Sequence, residues 1–205
     1  MSGGNAPAAM RGYERSDFER SVHEIAPELI GATLLFGDCG GVIVETEAYD
    51  QDDPACHAHV GLTPRTSVLF GEPGNAYVYL SYGIHRLFNI VCEPEGRGAA
   101  VLVRALQPAY GIPAMRRRRG KRPDADLCSG PGKLTQAMGI GLEHNGEPLD
   151  SQPFKLIPCS GEWQDIEIVT GPRIGITKAV EYPWRYCAAD NPHVSRPRPP
   201  APSRS

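Results

Sequence analysis

Long apolar runs are missing from this chain of 205 residues: no stretch approaches the length that a membrane-spanning helix needs. The opening residues, MSGGNAPAAMRG, contain no apolar core of the kind a secretion signal carries, which leaves a cytoplasmic location as the expectation. Paired cysteines are missing too. The six, at positions 39, 56, 92, 128, 159 and 187, include no CxxC, so neither a zinc ribbon nor a small disulfide scaffold suits them. They read as reduced, mostly buried thiols. The one glycine-rich turn that leads to a lysine, Ser129-Gly130-Pro131-Gly132-Lys133, lacks the glycine spacing of a Walker A loop. The alternation of strands and helices that builds a parallel sheet is absent as well.

What is present is a chain rich in glycine (23) and proline (20), ordinary in hydrophobic content at 40% and long enough to bury a core. Its net charge of −3 conceals an asymmetry. Between Arg104 and Arg122 stand seven basic residues and no acid, leaving fourteen basic against twenty-four acidic residues elsewhere. Such a segment can be a solvated loop or can face a polyanion.

The pattern predicts a helix opening at Ser16-Asp17, with Phe18, Val22, Ile25, Leu29 and Ile30 as its apolar stripe and Pro27 kinking or dividing it. Strands are expected at 32–36 and 41–48, joined by Gly-Asp-Cys-Gly, and a long loop over 50–67. A hairpin with its turn near Tyr82-Gly83, a central strand over 99–106, a helix beginning near Lys133 and late strands at 154–157 and 166–169 follow. An aromatic segment, 182–186, closes the folded part. This gives a single α+β domain over 13–188: a mixed, largely antiparallel curved sheet with peripheral helices. Residues 1–12 and the proline- and arginine-rich 189–205 read as disordered tails.

Several clusters can carry chemistry. In a strand over VETEAY, Glu45, Glu47 and Tyr49 share a face, and two carboxylates in an apolar strand must be solvated, paired or used. A merely solvated face is the plain alternative. Asp53, His57 and His59 resemble a metal-ligand set, although no further histidine or acidic cluster completes it; the same histidine could equally be a pocket wall. Tyr77 and Tyr79 share a strand face, whereas Tyr82 at a hairpin tip is poorly placed for a core and suits insertion into a base stack. Arg104, inside AAVLVRAL, needs an acidic partner or a phosphate, and Glu45 is available. The turn at Gly130–Lys133 could present backbone amides to an anion.

Taken in order, VETEAY (44–49), DDPACHA (52–58), TPR (63–65), PGNAYVYLSYGIHRLFNIV (73–91), AAVLVRALQP (99–108), CSGPGKL (128–134) and PRIGI (172–176) resemble the alkyladenine, or methylpurine, DNA glycosylase family over roughly residues 13–188. The resemblance implies a monofunctional glycosylase of base excision repair. It would flip alkylated or deaminated purines out of double-stranded DNA and hydrolyse the N-glycosidic bond, as a monomer, with no metal, cofactor or membrane involved. It makes Glu47 the catalytic base; Tyr49, His57 and Tyr79 the aromatic walls of the base pocket; Asn89 the screen for purine substituents; and Arg104 the arginine beside the pocket. Ala55 would offer a backbone carbonyl to the base edge, and Tyr82 at the tip of the protruding hairpin would fill the hole in the duplex. Arg65, Gly83, Gly130 and Lys133 would meet the DNA backbone. No lysine lies in or beside VETEAY, so a lyase step through an imine is not expected. A metal-dependent hydrolase using Asp53, His57 and His59, or a silent DNA-binding module on the same fold, are the competing readings.

Overall fold

The computed structural model describes residues 11–198. Eight strands form one sheet: β1 (Thr33–Phe36), β2 (Cys39–Asp50), β3 (Ala76–Ser81), β4 (His85–Val91), β5 (Ala99–Tyr110), β6 (Phe154–Ile157), β7 (Ile168–Gly171) and β8 (Arg185–Ala188). All pairings are antiparallel, in the order β3-β4-β5-β2-β1-β6, with β8 joining β2 to β7. Four helices flank it: α1 (Val22–Glu28), α2 (Ile112–Arg119), α3 (Asp124–Leu127) and α4 (Pro131–Met138). The expected mixed α+β architecture with a largely antiparallel sheet is what is found. No helix of the described residues is long and apolar enough to cross a membrane.

β2 and β5 are the longest strands, 12 residues each, and they form the sheet's centre. β2 changes partners along its free edge: residues 39–42 pair with β1, whereas Glu45, Thr46 and Glu47 pair with β8. The ladder between β2 and β5 carries compensating irregularities there. Ile43 faces Leu106, Glu45 faces Ala105 and Thr46 faces Val103, so Val44 and then Arg104 are each left without an opposite residue. Bulges of this kind bend a strand and re-aim its side chains. Here they deliver Arg104 to the two glutamates.

The first helix differs from expectation. A short 3-10 turn covers Arg15–Phe18, the chain breaks, and α1 starts only at Val22, capped by Ser21 through His23 N–H (3.3 Å). The carboxylate of Glu93 also accepts from Val22 N–H (3.2 Å), so the start of α1 is met by two side-chain acceptors. Pro27 lies in the final turn and the helix ends at Glu28, which limits the damage. The turn between β1 and β2 is two residues shorter than expected, since Cys39 and Gly40 already pair with β1. β7 sits two residues later than expected because its register is set by β8, with Ile168 opposite Ala188. All six cysteines are free thiols, five of them buried.

The boundary of the second tail also moves. Val194 and Ser195 are 3% and 4% exposed and packed onto β2 and β8, so residues 189–198 belong to the folded body. Their polar groups find buried partners, which composition alone does not reveal. Residues 1–10 and 199–205, the rest of the expected tails, lie outside the described residues.

Candidate active site

Glu45 and Glu47 are completely buried on one face of β2, and the alternation of the strand puts Tyr49 beside them. Tyr49 donates its hydroxyl to Glu47 Oε2 (2.8 Å). Arg104 binds both acids, with Nε on Glu45 Oε1 (2.8 Å) and Nη1 on Glu47 Oε2 (3.3 Å). A second guanidinium, Arg185 on β8, donates from Nε to Glu45 Oε1 (2.8 Å). Glu47 Oε1 accepts from the backbone N–H of Ile174 (2.7 Å). Two carboxylates and two guanidiniums thus neutralise one another out of water, the condition under which buried charge is tolerable.

The two acids are held differently. Burial pushes the Glu45 carboxyl up, but Arg104, Arg185 and two donors from Ser195 outweigh it and keep it below its ordinary range. For Glu47 burial prevails, and the carboxyl is raised in spite of Arg104, the Ile174 N–H and the Tyr49 hydroxyl. Burial, and then the neighbouring Glu47, also raise the Tyr49 phenol.

A cavity of about 1400 Å³ opens above this cluster. Its lining includes Tyr49, Ala55, His57, Tyr79, Asn89 and Arg104, and further out Arg65, Tyr82, Gly83, Gly130 and Lys133. Every residue that the resemblance assigns to the glycosylase site therefore lines one space except Glu47, which lies directly behind the wall made by Tyr49, Arg104 and Ile174.

The aromatic walls are fixed by their neighbours. His57 and Tyr79 meet edge to face with ring centroids 4.5 Å apart, Tyr79 stacks on Tyr77 at 5.4 Å, and His57 Nδ1 shares a hydrogen bond with the Tyr77 hydroxyl (3.1 Å). Burial, then Arg65, lower the His57 pKa, so the ring is neutral at neutral pH. Asn89 is 5% exposed and gives one amide hydrogen to the Tyr77 carbonyl (3.0 Å). Tyr49 is backed by the guanidinium of Arg173, 4.5 Å from its ring. Arg173 in turn binds Asp53 and the Ala48 carbonyl (3.0 Å), clamping the 50–56 loop to β2.

Asp53 is thereby consumed by Arg173, while His57 engages Tyr77 and His59 Nδ1 contacts the Gln51 carbonyl (3.1 Å). The three side chains proposed as metal ligands are thus occupied in different places, and among the described residues no group of three acids, histidines or cysteines could hold a metal.

The hairpin of β3 and β4 carries Tyr82 at its tip, 84% exposed, with φ +50°, followed by Gly83 at φ +72° and an exposed Ile84. A left-handed tyrosine costs roughly 1–2 kcal/mol, and local packing does not repay it. The start of β4, immediately after this turn, is by contrast held against α4. Thr135 of α4 donates to the Arg86 carbonyl (2.7 Å), and a Cβ on Gly132 would come within 3.1 Å of His85.

From the sequence the basic segment is either a solvated loop or a face for a polyanion, and the structure divides it. Arg116 pairs with Asp124 (2.7 Å), Arg118 donates to the Ala137 carbonyl (2.8 Å), and Arg119 binds Gln136 (2.6 Å). Four consecutive arginines on a helix cover a full turn and cannot share one face. Arg119, Lys121 and Arg122 do reach the cavity rim, and Lys133 reaches it while paired with Asp126. Arg173, Arg185 and Ser195 were not singled out from the sequence. For Arg173 the available signal was its place in PRIGI; for the other two there was none.

Known proteins carry the same pattern. The family model described as methylpurine-DNA glycosylase matches residues 16–192. A protein of Rhodopseudomonas palustris is 57% identical over 97% of this chain and 95% of its own length. One from Bradyrhizobium diazoefficiens is 54% identical over 94% and 95%, and one from Nitrosospira multiformis 51% identical over 88% and 92%. All three are described as "Putative 3-methyladenine DNA glycosylase". With the family's motifs gathered around one cavity and its model matched across nearly the whole folded chain, the protein belongs to the methylpurine-DNA glycosylase family, and is accordingly a DNA glycosylase, a hydrolase.

Proposed function

We propose that the protein extrudes alkylated or deaminated purines (3-methyladenine, 7-methylguanine, hypoxanthine, ethenoadenine) from duplex DNA and hydrolyses the glycosidic bond with a water activated by Glu47, leaving an abasic site. The observation that carries this reading is the buried Glu47 carboxylate directly behind the wall of an aromatic cavity, with a guanidinium and a backbone N–H as its partners. A purine stacked in a duplex exposes neither its glycosidic bond nor its full edge, so it must leave the stack to react. In the cavity it would lie among Tyr49, His57 and Tyr79, with Ala55 and Asn89 at its edges.

An ionised carboxylate has about four acceptor positions. Ile174, Tyr49 and Arg104 fill three of them, which leaves one for the attacking water. Burial makes Glu47 a stronger base than a solvated glutamate, and its negative charge favours the oxocarbenium-like transition state. Arg104 opposes that rise and favours the ionised carboxylate. The neutral His57 ring adds no positive charge against a cationic alkylated purine, whose charge both improves stacking and weakens its bond to the sugar.

Tyr82 would occupy the gap left in the duplex. Tyr82→Ala should reduce the flipped population roughly tenfold, as loss of one base–aromatic stack implies. It should leave chemistry on an already flipped base intact. Fluorescence of a reporter base in the target position reads this directly; an unchanged signal counts against the wedge.

Arg65, Lys121, Arg122 and Arg198, all on the rim of the cavity, supply charge for the DNA backbone. With about four phosphates neutralised, log affinity should fall with log salt at a slope of roughly −3 to −4. A slope near zero would remove the backbone from the account. The test of the function as a whole is incubation of the pure protein with duplexes each carrying one of the four lesions, then alkaline cleavage at abasic sites.

A further inference from the structure

The family match stops at Pro192, yet the next six residues fold back over β2 and close one side of the cavity. Ser195 is the point of attachment. Its N–H donates to Glu45 Oε2 (2.7 Å) and its hydroxyl to Glu45 Oε1 (2.8 Å). The same hydroxyl oxygen accepts from Arg104 Nη2 (3.4 Å). Arg185 secures the segment from the other side, donating to the carbonyls of Ser195 (3.3 Å) and Pro197 (3.0 Å).

Arg104 is thus held at three points: Nε on Glu45, Nη2 on Ser195 and Nη1 on Glu47. The first two contacts fix the plane of the guanidinium, and the third follows from that plane. We propose that Ser195 is a positioning residue for glycosidic hydrolysis, holding Glu45 and the outer edge of Arg104 so that Arg104 stays on Glu47 and the strap 193–198 completes the catalytic site. This rests on Glu47 being the base.

The charge balance separates this role from simple support of the fold. Ser195 is neutral, so removing its hydroxyl leaves two acids facing two guanidiniums, and its backbone N–H still reaches Glu45. What is lost is one of three restraints on Arg104. Around Glu47 stand Arg104 from β5, Glu45 and Tyr49 from its own strand, Tyr79 from β3, Cys187 from β8, and Arg173 beyond Tyr49. Arg104 is the only cation among these that contacts the carboxylate directly, so loosening it strengthens the hold of Glu47 on its proton. A base that protonates at higher pH loses rate at higher pH.

The experiment compares Ser195→Ala with the unaltered full chain in single-turnover base release across pH, together with damaged-duplex affinity and thermal unfolding. The expected result is a rate about tenfold lower at neutral pH and an acidic limb moved up by as much as about one pH unit, as weakening one charge-assisted hydrogen bond implies. Duplex affinity should stay within about twofold, since Ser195 makes no proposed DNA contact. Ser195→Cys keeps a weaker donor in a similar volume, should give an intermediate displacement, and serves if the alanine variant is unstable. An acidic limb that stays in place in both variants overturns the proposal, whatever happens to the rate. Glu47→Gln is measured in parallel. If it releases base normally, the reading of Glu47 fails; if it is inert while the serine variants keep the original pH profile, only the role of Ser195 fails.

Discussion

Glu47→Gln is expected to slow base release by about 10²–10⁴-fold, the range that general-base catalysis contributes, while leaving affinity for a damaged duplex within a few-fold. The substitution preserves size, and the carboxamide oxygen can still accept from the Ile174 N–H, while its NH2 replaces the oxygen that accepts from Tyr49 and Arg104. What disappears is the negative charge and the site that takes up a proton. Because Tyr49 and Arg104, not Glu47, line the cavity, binding of the extruded purine is not directly altered. A single-turnover assay on a hypoxanthine duplex, paired with a gel-shift titration of the same duplex, separates the two steps. Release at a near-normal rate would disprove the assignment; loss of both release and binding would mean that the carboxylate supports the pocket rather than the reaction.

The second large effect concerns stability. Arg104→Met keeps much of the side chain's length but strips a buried cation from between two buried acids. Glu45 would retain Arg185, whereas Glu47 would lose its only ion pair. Breaking such a network by removing one partner costs about 3–5 kcal/mol, which should appear as a markedly lower urea midpoint. The pH dependence has a defined sign. In the variant Glu47 carries a folded-state pKa still further above its unfolded value, so it takes up a proton on folding, and the stability this supplies is present at low pH and is lost as pH rises through that raised value. In the unaltered protein Glu45, held below its ordinary range, contributes stability above the unfolded carboxylate pKa and loses it on acidification. Both trends narrow the gap between the two proteins as pH falls. A gap that is small at neutral pH, or that widens on acidification, would contradict the pairing.

How much of this was readable beforehand depended on range. The alternation of VETEAY placed Glu45, Glu47 and Tyr49 on one face because strand geometry is local. The cost of a guanidinium in AAVLVRAL pointed to an acid, and Glu45 is that acid. Tyr82 stood out because a hairpin tip gives an aromatic ring nothing of its own to pack on. The remaining partners of the glutamates come from far away in the chain: Ile174, Arg185 and Ser195 lie 127, 140 and 150 residues from the acids they bind. No periodicity connects such positions. Ser195, in a stretch whose composition is that of a solvated tail, could be recognised only from the carboxylate that it meets. The helix start is out of reach for a similar reason, since one of the acceptors at Val22 comes from Glu93 on a distant loop.

β2 has consequences for motion as well as for chemistry. Its residues 45–47 are bonded on one side to β5 and on the other to β8, and Thr46 is tied by its hydroxyl to the Ala26 carbonyl of α1 (2.7 Å). Amides in such a position exchange with solvent only when the whole body opens. The acids therefore stand on a strand bonded along both edges, and the adjustments that admit a bulky nucleoside fall to exposed pieces: the tip around Tyr82 and the stretch 59–65. Sequence changes in those outer pieces can then reshape the mouth of the cavity while the paired acids behind it stay as they are.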